Sequence, residues 1–376
     1  MDCNTATAVE DDLSREVYCI LGIPIDAIEM PVVMQRIDAA ARNAAPYLIS
    51  TPNLNFLVNS QADPEFRESL LLSDLCPPDG MPIIWIARLL GLPIKRRTAG
   101  SDLIDSLKSR GGAEPPLKIF LFGGTEPIAA EACRRLNSDG LRCVGWLCPP
   151  FGDLDVLSRH DFFDQINASG ADFLIAALGA RNGQLWLQRN QSRIRIPLRA
   201  HLGATLNFQA GSVKRAPFTL RKLGIEWIWR IKEEPVLFGR YWRDGKMFLR
   251  LLITHVFPLA IWGRWLQIRP DRSGHDFVIV PVQNQGRATV HFPVCATASQ
   301  ITTATACFRQ AMVVQKGDII VDLSRTQVID ARFFGLLLML RKQLKGRGSA
   351  LQFQGVSEKL HKMFRLNALD YLLTPG

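Results

Sequence analysis

Short apolar runs alternate with amphipathic stretches from Tyr18 to about Pro217, and this alternation constrains the fold more than any other feature of the chain. The predicted strands are Tyr47–Thr51, Lys118–Gly123, Arg142–Trp146, Phe173–Leu178 and Ile196–Ala200. The predicted helices are Pro31–Asn43, Pro64–Leu72, Pro82–Leu90, Pro127–Asn137 and Gln184–Gln191. Strands and helices that alternate in this way indicate an α/β domain with a mostly parallel sheet, which binds ligands at the carboxyl ends of its strands.

The length and composition of the chain predict two folded domains. A chain of 376 residues exceeds what one compact core usually holds, and 47% hydrophobic residues exclude wholesale disorder. The eight cysteines form no Cys-x-x-Cys pair and no zinc spacing, so we expect a reduced, cytoplasmic chain without a metal site. Residues 1–16 are acidic and lack the features of a signal peptide, and we expect a loose tail there.

Positive charge and tryptophan are concentrated in one stretch. Between Lys214 and Arg272, 13 Lys or Arg stand against 5 Asp or Glu, and five of the eight tryptophans lie there. Lys and Arg bind lipid phosphates while indole rings settle at headgroup level, so this composition predicts contact with an anionic membrane. Nucleic acid would attract the same residue types, but that alternative rests on charge alone.

Residues Glu226–Ile268 read as helical and basic. Arg243, Lys246 and Arg250 form one stripe at helical spacing. The opposing apolar face consists of Met247, Leu251, Leu252, His255, Val256 and Leu259. The longest stretch without a charged residue, Leu251–Gly263, has 13 residues, whereas a membrane-spanning helix needs about 20. We therefore predict a helix that lies in the membrane interface.

Two loops carry candidate groups for an acceptor. Thr51-Pro52-Asn53 ends a strand with side chains that suit sugar hydroxyls, although Asn53 is equally suited to cap the next helix. Pro78-Asp79-Gly80 places one carboxylate in a tight turn, where it is a candidate general base; a helix-capping Asp is the commoner finding. Inverting glycosyl transfer needs one such base, and no carboxylate nucleophile when a nucleotide diphosphate leaves.

Three further stretches suit phosphate groups. Arg96-Arg97 precedes a helix start, and the fork of an arginine side chain matches phosphate oxygens. The turn Gly123-Gly124-Thr125 follows a strand and allows a diphosphate to approach the backbone, although such a turn is more often only a tight connection. Lys214-Arg215-Ala216-Pro217 leads into the basic stretch, which could clamp a lipid pyrophosphate or form a merely solvated helix.

The order and spacing of these motifs resemble the WecG/TagA/CpsF glycosyltransferases, also called glycosyltransferase family 26, over Leu21–Tyr241. The shared marks are Thr51-Pro52-Asn53, Pro78-Asp79-Gly80, Leu89-Leu90-Gly91, Gly100-Ser101-Asp102-Leu103, Phe122-Gly123-Gly124, Pro149-Pro150-Phe151-Gly152, Leu178-Gly179, Ala210-Gly211, Lys214-Arg215-Ala216-Pro217, Gly224-Ile225-Glu226-Trp227, Arg230 and Glu234-Pro235. The resemblance implies a Rossmann-like domain that transfers a hexose or N-acetylhexosamine from a UDP-sugar to a saccharide on polyprenyl (undecaprenyl) pyrophosphate. It implies inversion, no metal or other cofactor, and a role in bacterial polysaccharide or exopolysaccharide biosynthesis.

The resemblance also assigns residues to sites. Asp79 is implied as the catalytic base. The acceptor-binding set is Thr51, Asn53, Arg97 and Arg215, and the nucleotide-sugar set is Gly123, Gly124 and Gln184. The set expected to bind the membrane and the lipid pyrophosphate is Arg230, Arg240, Arg243, Lys246, Arg250, Trp262 and Trp265. The enzyme would then lie on the inner face of the cytoplasmic membrane.

One motif departs from the family pattern. Where the family usually reads Leu-Gly-x-Pro-x-Gln-Glu-x-Trp, this chain reads Leu-Gly-Ala-Arg-Asn-Gly-Gln-Leu-Trp over residues 178–186. Gly183 therefore replaces the glutamine and Gln184 the glutamate, and Asn207 replaces a common aspartate. These changes motivate a second hypothesis, in which the chain is a catalytically weakened scaffold that binds the lipid-linked intermediate and recruits protein partners.

The C-terminal part reads as a second α/β domain after a linker, Pro270–Gly274. The predicted elements are strands Phe277–Gln283, Arg287–Pro293, Asp318–Leu323 and Ala350–Gln354, with helices Ala296–Val314, Ala331–Lys345 and Glu358–Leu366. Over Phe277–Leu373 the sequence resembles the STAS (anti-sigma-factor antagonist) fold. Its marks are Gly317-Asp318-Ile319-Ile320-Val321-Asp322-Leu323-Ser324, Val328-Ile329-Asp330, Gly335-Leu336-Leu337-Leu338, Arg347-Gly348 and Gly355-Val356-Ser357.

The STAS-like part lacks the serine that regulatory members phosphorylate. Asp330-Ala331-Arg332-Phe333 stands where those members usually read Asp-Ser-Ser-Gly, so we expect a protein partner to dock around Asp330 and Arg332 instead. The predicted organisation is a tail (1–16), a glycosyltransferase domain (17–221), a basic membrane-associating appendage (222–272) and a STAS-like domain (273–376). Relatives often self-associate, so a homo-oligomer is also possible.

Overall fold

A computed structural model describes residues 11–109, 116–217, 219–220, 224–267, 277–282, 287–314 and 317–373. The described chain forms two compact units. Unit 1 contains residues 28–84 and 96–248, and unit 2 contains residues 11–27, 85–95 and 249–373. The predicted linker and the turn at 284–286 lie outside the described residues.

Unit 1 is built on a five-stranded parallel sheet, as the sequence predicted. Its strands are β3 (Tyr47–Ile49), β4 (Lys118–Gly123), β5 (Arg142–Leu147), β6 (Phe173–Ala177) and β7 (Leu198–His201), in the order β3-β7-β6-β4-β5. The central strands are buried on both faces, which explains their uninterrupted apolar sequence. The predicted strand bounds differ from these by at most two residues.

Helices cover the sheet of unit 1. They are α1 (Met30–Asn43), α2 (Leu54–Ala62), α3 (Pro64–Leu71), α4 (Met81–Leu89), α5 (Gly100–Lys108), α6 (Glu126–Ser138), α7 (His160–Ala168), α8 (Ala180–Arg189), α9 (Gly203–Gln209) and α10 (Glu226–Glu233). The second half of α4 belongs to unit 2. No bounds were predicted for four of these helices, α2, α5, α7 and α9, which have nine residues or fewer.

The carboxyl ends of the strands in unit 1 place the predicted site residues along one edge of the sheet. β3 leads into Ser50–Asn53, β4 ends at Gly123, and β7 ends at His201. In parallel α/β sheets this edge is where ligands bind, because the loops that follow the strands open there.

Unit 2 contains the STAS-like fold. Its main sheet has the order β13-β11-β9-β8, with β8 (Val278–Val282) antiparallel to β9 (Arg287–His291) and the other pairs parallel. The remaining elements are β10 (Cys295–Ala296), α13 (Ile301–Val314), β11 (Ile319–Asp322), β12 (Val328–Ile329), α14 (Ala331–Gly346), β13 (Leu351–Gln354) and α15 (Glu358–Leu366). The predicted order of strands and helices is confirmed, and the short parallel pair of β10 and β12 is added.

An N-terminal β-hairpin also belongs to unit 2, and the sequence did not predict it. Strands β1 (Val17–Ile20) and β2 (Ile23–Asp26) are antiparallel and wholly buried. The hairpin packs on α14, where Gly335 approaches it so closely that a Cβ atom would lie 2.1 Å from the carbonyl oxygen of Val17. A side chain at Gly335 would therefore push the hairpin away.

Residues 11–16 are not a loose tail, and that prediction was wrong for this part of the chain. Arg15 is buried and its guanidinium donates to the buried Asp26 at 2.8 and 3.1 Å. A buried ion pair needs such hydrogen bonds to offset the loss of hydration. Leu13 is buried as well, so residues 11–16 are an integral part of unit 2.

The predicted docking surface around Asp330 and Arg332 is covered by the chain itself. Arg332 is 8% exposed and donates to the carbonyl oxygens of Val17 (3.0 Å) and Arg15 (3.2 Å). The carboxylate of Asp330 caps α14 by accepting from Phe333 N at 2.8 Å. Arg332 is therefore not available to a partner, because the N-terminal segment occupies its side of this face, whereas docking of a protein partner on the STAS-like fold stays a prediction.

A long helix follows α10 and precedes the strands of the STAS-like fold in the sequence. It comprises α11 (Phe238–Leu251), a π-helical turn (Leu252–Val256) and α12 (Phe257–Gln267). The segment Pro235–Gly263 is long and apolar enough to cross a membrane by length and composition alone, and 11% of its most apolar window is buried. The uncharged stretch counted in the sequence has 13 residues because it excludes every charged residue. An apolar segment that is allowed two charged residues is longer.

Candidate active site

Asp79 lies where three loops of unit 1 meet. The backbone N–H of Asp79 donates to the carbonyl oxygen of Pro52 at 2.9 Å, which ties its turn to the loop after β3. The N–H of Thr98 donates to the carbonyl oxygen of Pro78 at 2.6 Å and adds the third loop. Gly80 completes the turn with φ of +86°, a backbone conformation that glycine adopts without strain. The carboxylate is thereby fixed among groups that are distant in sequence.

Asn53 fulfils one of the two roles that the sequence left open, the helix cap, and binding of acceptor hydroxyls stays a prediction. Its side-chain oxygen accepts from Phe56 N at 3.2 Å and caps α2. Its side chain also hydrogen-bonds the carboxylate of Asp79. Thr51, two residues earlier, is buried at 5% exposure. The cap fixes the orientation of Asn53, and this orientation directs its amide to Asp79.

The pKa of Asp79 is raised to about 7. Burial is the largest cause, because a carboxylate loses hydration there. The nearby negative charges of Glu226 and Asp102 raise it further, whereas the positive charge of Arg97 and the hydrogen bond from Asn53 act in the opposite direction. The group therefore changes its protonation state near neutral pH, as suits a general base.

Arg97 pairs with Glu226 instead of remaining free for phosphate. Its guanidinium donates to the carboxylate of Glu226 at 2.7 Å, and both side chains are largely buried. Glu226 is the first residue of α10, which begins the predicted basic appendage. The start of the appendage therefore contributes directly to the surroundings of Asp79.

Arg215 is held by carboxylates of α5. Its guanidinium donates to Asp102 and Asp105, and to the hydroxyl of Ser101 at 2.9 Å. A groove of about 480 Å³ lies beside this cluster. It is lined by Met30, Pro31, Met34, Asp102, Asp105, Ser106 and Ser109. Asp102 therefore lines this groove, and its negative charge also raises the pKa of Asp79.

The predicted diphosphate turn follows β4 and requires glycine at both positions. Gly123 has φ of +114°, and a Cβ atom there would lie 2.5 Å from the carbonyl oxygen of Ala177. Gly124 has φ of +74° and is exposed. The close approach of β6 explains Gly123 without a ligand, whereas the exposed backbone at Gly124 remains open to one.

Gln184 lies in the interior, which is at odds with its predicted contact with a nucleotide sugar. The side chain has 0% exposure. Its amide oxygen accepts from the hydroxyl of Ser50 at 2.8 Å, and its NH₂ group donates to the carbonyl oxygen of Ser69 and the hydroxyl of Ser73, each at 3.2 Å. These hydrogen bonds join α8 to α3 and to the loops that follow β3 and α3, so the residue holds the fold together.

The departure at Gly183 has a local physical reason. A Cβ atom on Gly183 would lie 2.2 Å from Nδ1 of His201, so the imidazole occupies the space that a side chain would need. The ring stacks on Phe56 at a centroid distance of 6.2 Å. Burial lowers the pKa of His201 to about 4, which keeps the imidazole neutral near pH 7.

The predicted membrane residues occupy different environments. Arg240, Arg243, Lys246 and Arg250 are exposed. Arg230 is instead held by Glu234 at 2.5 Å and stacks over Phe208. In unit 2, Trp262 lies beside two lysines of α15, and the side chain of Trp265 lies outside the described residues.

Two acidic residues of the site were not identified from the sequence. Glu226 and Asp102 stand in motifs that carried the family resemblance, Gly224-Ile225-Glu226-Trp227 and Gly100-Ser101-Asp102-Leu103, but no role was assigned to them. The cations that contact them, Arg97 with Glu226 and Arg215 with Asp102, were the signal in the sequence. A buried cation requires a carboxylate nearby. Within the described ranges, no group of three His, Cys, Asp or Glu side chains is placed to hold a metal ion.

Comparisons with known proteins agree with the two-part organisation. The family of STAS domains described as "Mlab, STAS domain" matches residues 303–374. The N-acetylglucosaminyldiphosphoundecaprenol N-acetyl-beta-D-mannosaminyltransferase of Bacillus spizizenii (strain ATCC 23059 / NRRL B-14472 / W23) is 25% identical over 202 residues. That similarity covers 53% of this chain and 76% of the Bacillus protein.

Two solved structures show only a remote likeness. One is the crystal structure of an SsGBP and GDP complex, with 13% identity and a TM-score of 0.20 over 69% of this chain and 90% of the other. The second is the murine anion transporter Slc26a9 in the inward-facing state, with 11% identity and a TM-score of 0.22 over 90% and 72%. Scores this low support no structural conclusion.

The family described as "Glycosyl transferase WecG/TagA/CpsF family" matches residues 18–260, which is more than half of the chain. The match includes the loops that meet at Asp79, the turn after β4 and the whole of α10. This chain therefore belongs to the WecG/TagA/CpsF family of glycosyltransferases.

Proposed function

We propose that the protein is an inverting glycosyltransferase that moves a sugar from a UDP-sugar to a saccharide linked to polyprenyl pyrophosphate. The observation that carries this proposal is the setting of Asp79, a carboxylate at the ligand-binding edge of the sheet with a pKa of about 7. A single carboxylate of this kind supplies what inversion requires, since the nucleotide diphosphate is already a good leaving group.

In the proposed reaction, Asp79 removes the proton from the acceptor hydroxyl. The resulting oxygen nucleophile attacks the anomeric carbon from the face opposite to UDP. A new C–O bond forms as the bond to the diphosphate breaks, and UDP leaves with the bonding electrons. Asn53 donates a hydrogen bond to the carboxylate and keeps it oriented towards the acceptor. Asp79 carries the proton until it passes to water.

Phosphate groups are proposed to bind close to Arg97 and Arg215. Both guanidinium groups now pair with carboxylates, Arg97 with Glu226 and Arg215 with Asp102 and Asp105. Because arginine provides five N–H donors, each can retain a carboxylate partner while it binds a phosphate oxygen. The exposed backbone at Gly124 is the proposed contact for the diphosphate of the donor.

The name of the Bacillus relative suggests the acceptor class. That protein acts on N-acetylglucosaminyldiphosphoundecaprenol and transfers N-acetylmannosamine. We propose the same acceptor class here, an N-acetylhexosamine on undecaprenyl pyrophosphate, and a UDP-linked hexose or N-acetylhexosamine as donor. The replaced residues at positions 183 and 184 are a reason to test several donors.

A donor panel tests this proposal directly. The full chain is incubated with UDP-hexoses and UDP-N-acetylhexosamines and a short-chain lipid-pyrophosphate acceptor, and UDP release is measured. Release with at least one pair, abolished by Asp79→Asn and retained by the exposed-loop control Asp153→Asn, is the expected result. Absence of release with every pair, while a known family member is active under the same conditions, would contradict it.

A scaffold is the second candidate function. It is favoured by Gly183 and Gln184, because the first offers no side chain and the second is buried in hydrogen bonds. Such a protein would bind the lipid-linked intermediate and recruit partners through a surface of the STAS-like fold other than the face that residues 11–26 cover. Unchanged cellular polysaccharide in an Asp79→Asn strain would favour the scaffold.

We further propose that the protein works on the inner face of the cytoplasmic membrane as a peripheral protein. The support is the exposed cations of the long helix, Arg240, Arg243, Lys246 and Arg250, together with the half-exposed Trp227 and Trp242. Flotation with liposomes that requires anionic lipid, without retention of DNA, would separate this proposal from nucleic-acid binding.

A further inference from the structure

The part of the long helix that belongs to unit 2 exposes an apolar row. Ile253, Phe257 and Ile261 follow one another at spacings of four residues, so they lie on one side of the helix. Their exposed fractions are 58%, 45% and 70%. Arg250 is also exposed and precedes Ile253 by three residues, which places its charge on the same side.

The other side of this helix segment packs inside unit 2. The π-helical turn and α12 contact α15 of the STAS-like fold, and Leu251 and Val256 are buried. Trp262 lies near the ammonium groups of Lys359 and Lys362, at 5.7 and 5.8 Å from the ring centroid. The apolar face that the sequence assigned to the membrane, which includes Leu251 and Val256, is therefore used for internal packing.

This arrangement determines what the exposed row can contact. Three large apolar side chains beside an arginine match the boundary between lipid acyl chains and anionic headgroups. These four side chains are exposed, so packing inside unit 2 does not occupy them. A helix that crossed the membrane would have to leave α15 or carry Lys359 and Lys362 into hydrocarbon. The packing on α15 thus favours a helix that lies in the plane of the bilayer.

We propose that Arg250, Ile253, Phe257 and Ile261 form the membrane-contact face of unit 2, and that α15 holds the helix by its opposite side. The occupant of this face is the surface of an anionic bilayer. The inference rests on the peripheral membrane location proposed above, and it gives the STAS-like fold a function in membrane attachment. It does not depend on the transfer reaction.

Liposome cosedimentation of the full chain tests the proposal. The triple variant Ile253→Asn, Phe257→Asn, Ile261→Asn is compared with a matched control, Val278→Asn, Val280→Asn, Val313→Asn, whose positions are also exposed apolar residues of unit 2. With vesicles of phosphatidylcholine and phosphatidylglycerol, we expect the triple variant to bind at least about tenfold more weakly. The control should stay within about twofold of the unmodified protein.

Two further measurements separate the alternatives. Arg250→Glu should weaken binding to anionic vesicles and leave the weak binding to pure phosphatidylcholine unchanged. UDP release with a water-soluble short-chain acceptor should persist in the triple variant, so loss of lipid binding and loss of transfer are distinguishable.

Three results would overturn the proposal. Equal lipid binding by the triple variant and the control would show that this row does not contact lipid. Light scattering that finds a dimer of the unmodified protein, but not of the triple variant, would assign the row to a second copy of the chain. Resistance of the protein to extraction from membranes by alkaline carbonate would show that the helix crosses the bilayer.

Discussion

Asp79 combines burial with neighbours of both charge signs, so its pKa should respond to single substitutions. Its pKa is about 7, and Arg97 is the positive charge that opposes a still higher value. Arg97→Gln should raise this pKa, and the rising limb of the rate against pH should move to higher pH. The profile of kcat between pH 5.5 and 9 measures the shift; a limb that moves to lower pH would contradict the electrostatic account.

Asp79→Asn should stabilise the fold at high pH while it abolishes transfer. The pKa of Asp79 is higher in the folded chain than the value near 3.9 of an unfolded one, so the carboxylate opposes folding above that pH. The cost is absent below pH 4, grows as the pH rises to about 7, and is constant above it. We expect a gain of roughly 1–2 kcal/mol in the free energy of unfolding at pH 8, after allowance for solvent screening.

Urea unfolding of the two proteins at pH 4 and pH 8 checks this expectation. The difference between Asp79→Asn and the unmodified protein should be larger at pH 8. A variant that is destabilised to the same extent at both values would mean that Asp79 contributes to the fold through hydrogen bonds rather than opposing it through its charge.

Gly183 and His201 should behave as a coupled pair. Gly183→Gln places a side chain 2.2 Å from Nδ1 of His201, and such overpacking costs about 1–3 kcal/mol. His201→Gly removes a buried ring and leaves a cavity. The double variant restores the filled volume and should be more stable than the sum of the two single effects predicts. A double-mutant cycle in thermal unfolding gives the coupling, and additive effects would contradict it.

The sequence singled out Asp79, Asn53 and Arg97 because each stands in a turn next to an element of recognisable type. It did not identify the partners that determine their chemistry. Arg97 and Glu226 are separated by 129 residues, and only the tertiary fold brings them within 2.7 Å. The burial that raises the pKa of Asp79 likewise has no signature in the neighbouring sequence. The position of this carboxylate in a Pro-Asp-Gly turn, in contrast, is visible there.

At the scale of elements, the packing of the N-terminal hairpin on α14 depends on one glycine. Gly335→Ala would ordinarily stabilise a helix by about 1 kcal/mol, but here the added methyl group meets the carbonyl oxygen of Val17. We expect a loss of about 1–3 kcal/mol. Gly346→Ala, on the same helix with open space around its Cβ position, is the control and should be neutral or stabilising.

Urea unfolding of both variants, with proteolysis of the N-terminal segment as a second measurement, tests this packing. Faster cleavage within residues 11–26 in Gly335→Ala, but not in Gly346→Ala, would locate the effect at the hairpin. A Gly335→Ala protein as stable as the unmodified chain would show that the hairpin does not pack against α14 as closely as described.

Elements that the sequence predicted share a clear period or continuous burial. The parallel strands β4 and β6 are buried on both faces and flanked by helices, which made their bounds nearly correct. The hairpin was missed because Val17–Ile20 and Ile23–Asp26 are short, wholly buried and without alternation. Its position on α14 depends on contacts between chain segments more than 300 residues apart.

At the scale of the whole molecule, the boundaries of sequence similarity and of folding differ. The glycosyltransferase family matches residues 18–260, yet residues 18–27 and 249–260 belong to unit 2. A chain shortened to residues 1–272 would keep the whole of the family match and lose the helix that covers the hairpin. We expect this truncated protein to aggregate, because Val17, Ile20 and Ile25 would become exposed.

Soluble yield and light scattering of the chain cut after residue 272 check this expectation, with removal of residues 1–9 as the control. The control should remain soluble, because it keeps both the hairpin and α14. A soluble and monomeric 1–272 protein would show that the hairpin has another partner when the STAS-like fold is removed.

The packing of β1 on α14 also sets an order of events during synthesis. The hairpin leaves the ribosome before Arg332, which binds its backbone and follows 315 residues later. At about 5–20 residues per second, the apolar hairpin waits for ~15–60 s before its partner helix is made. During that interval only a chaperone or transient contacts can shield it, so a segment translated well before its partner helix is among the last to reach its native place.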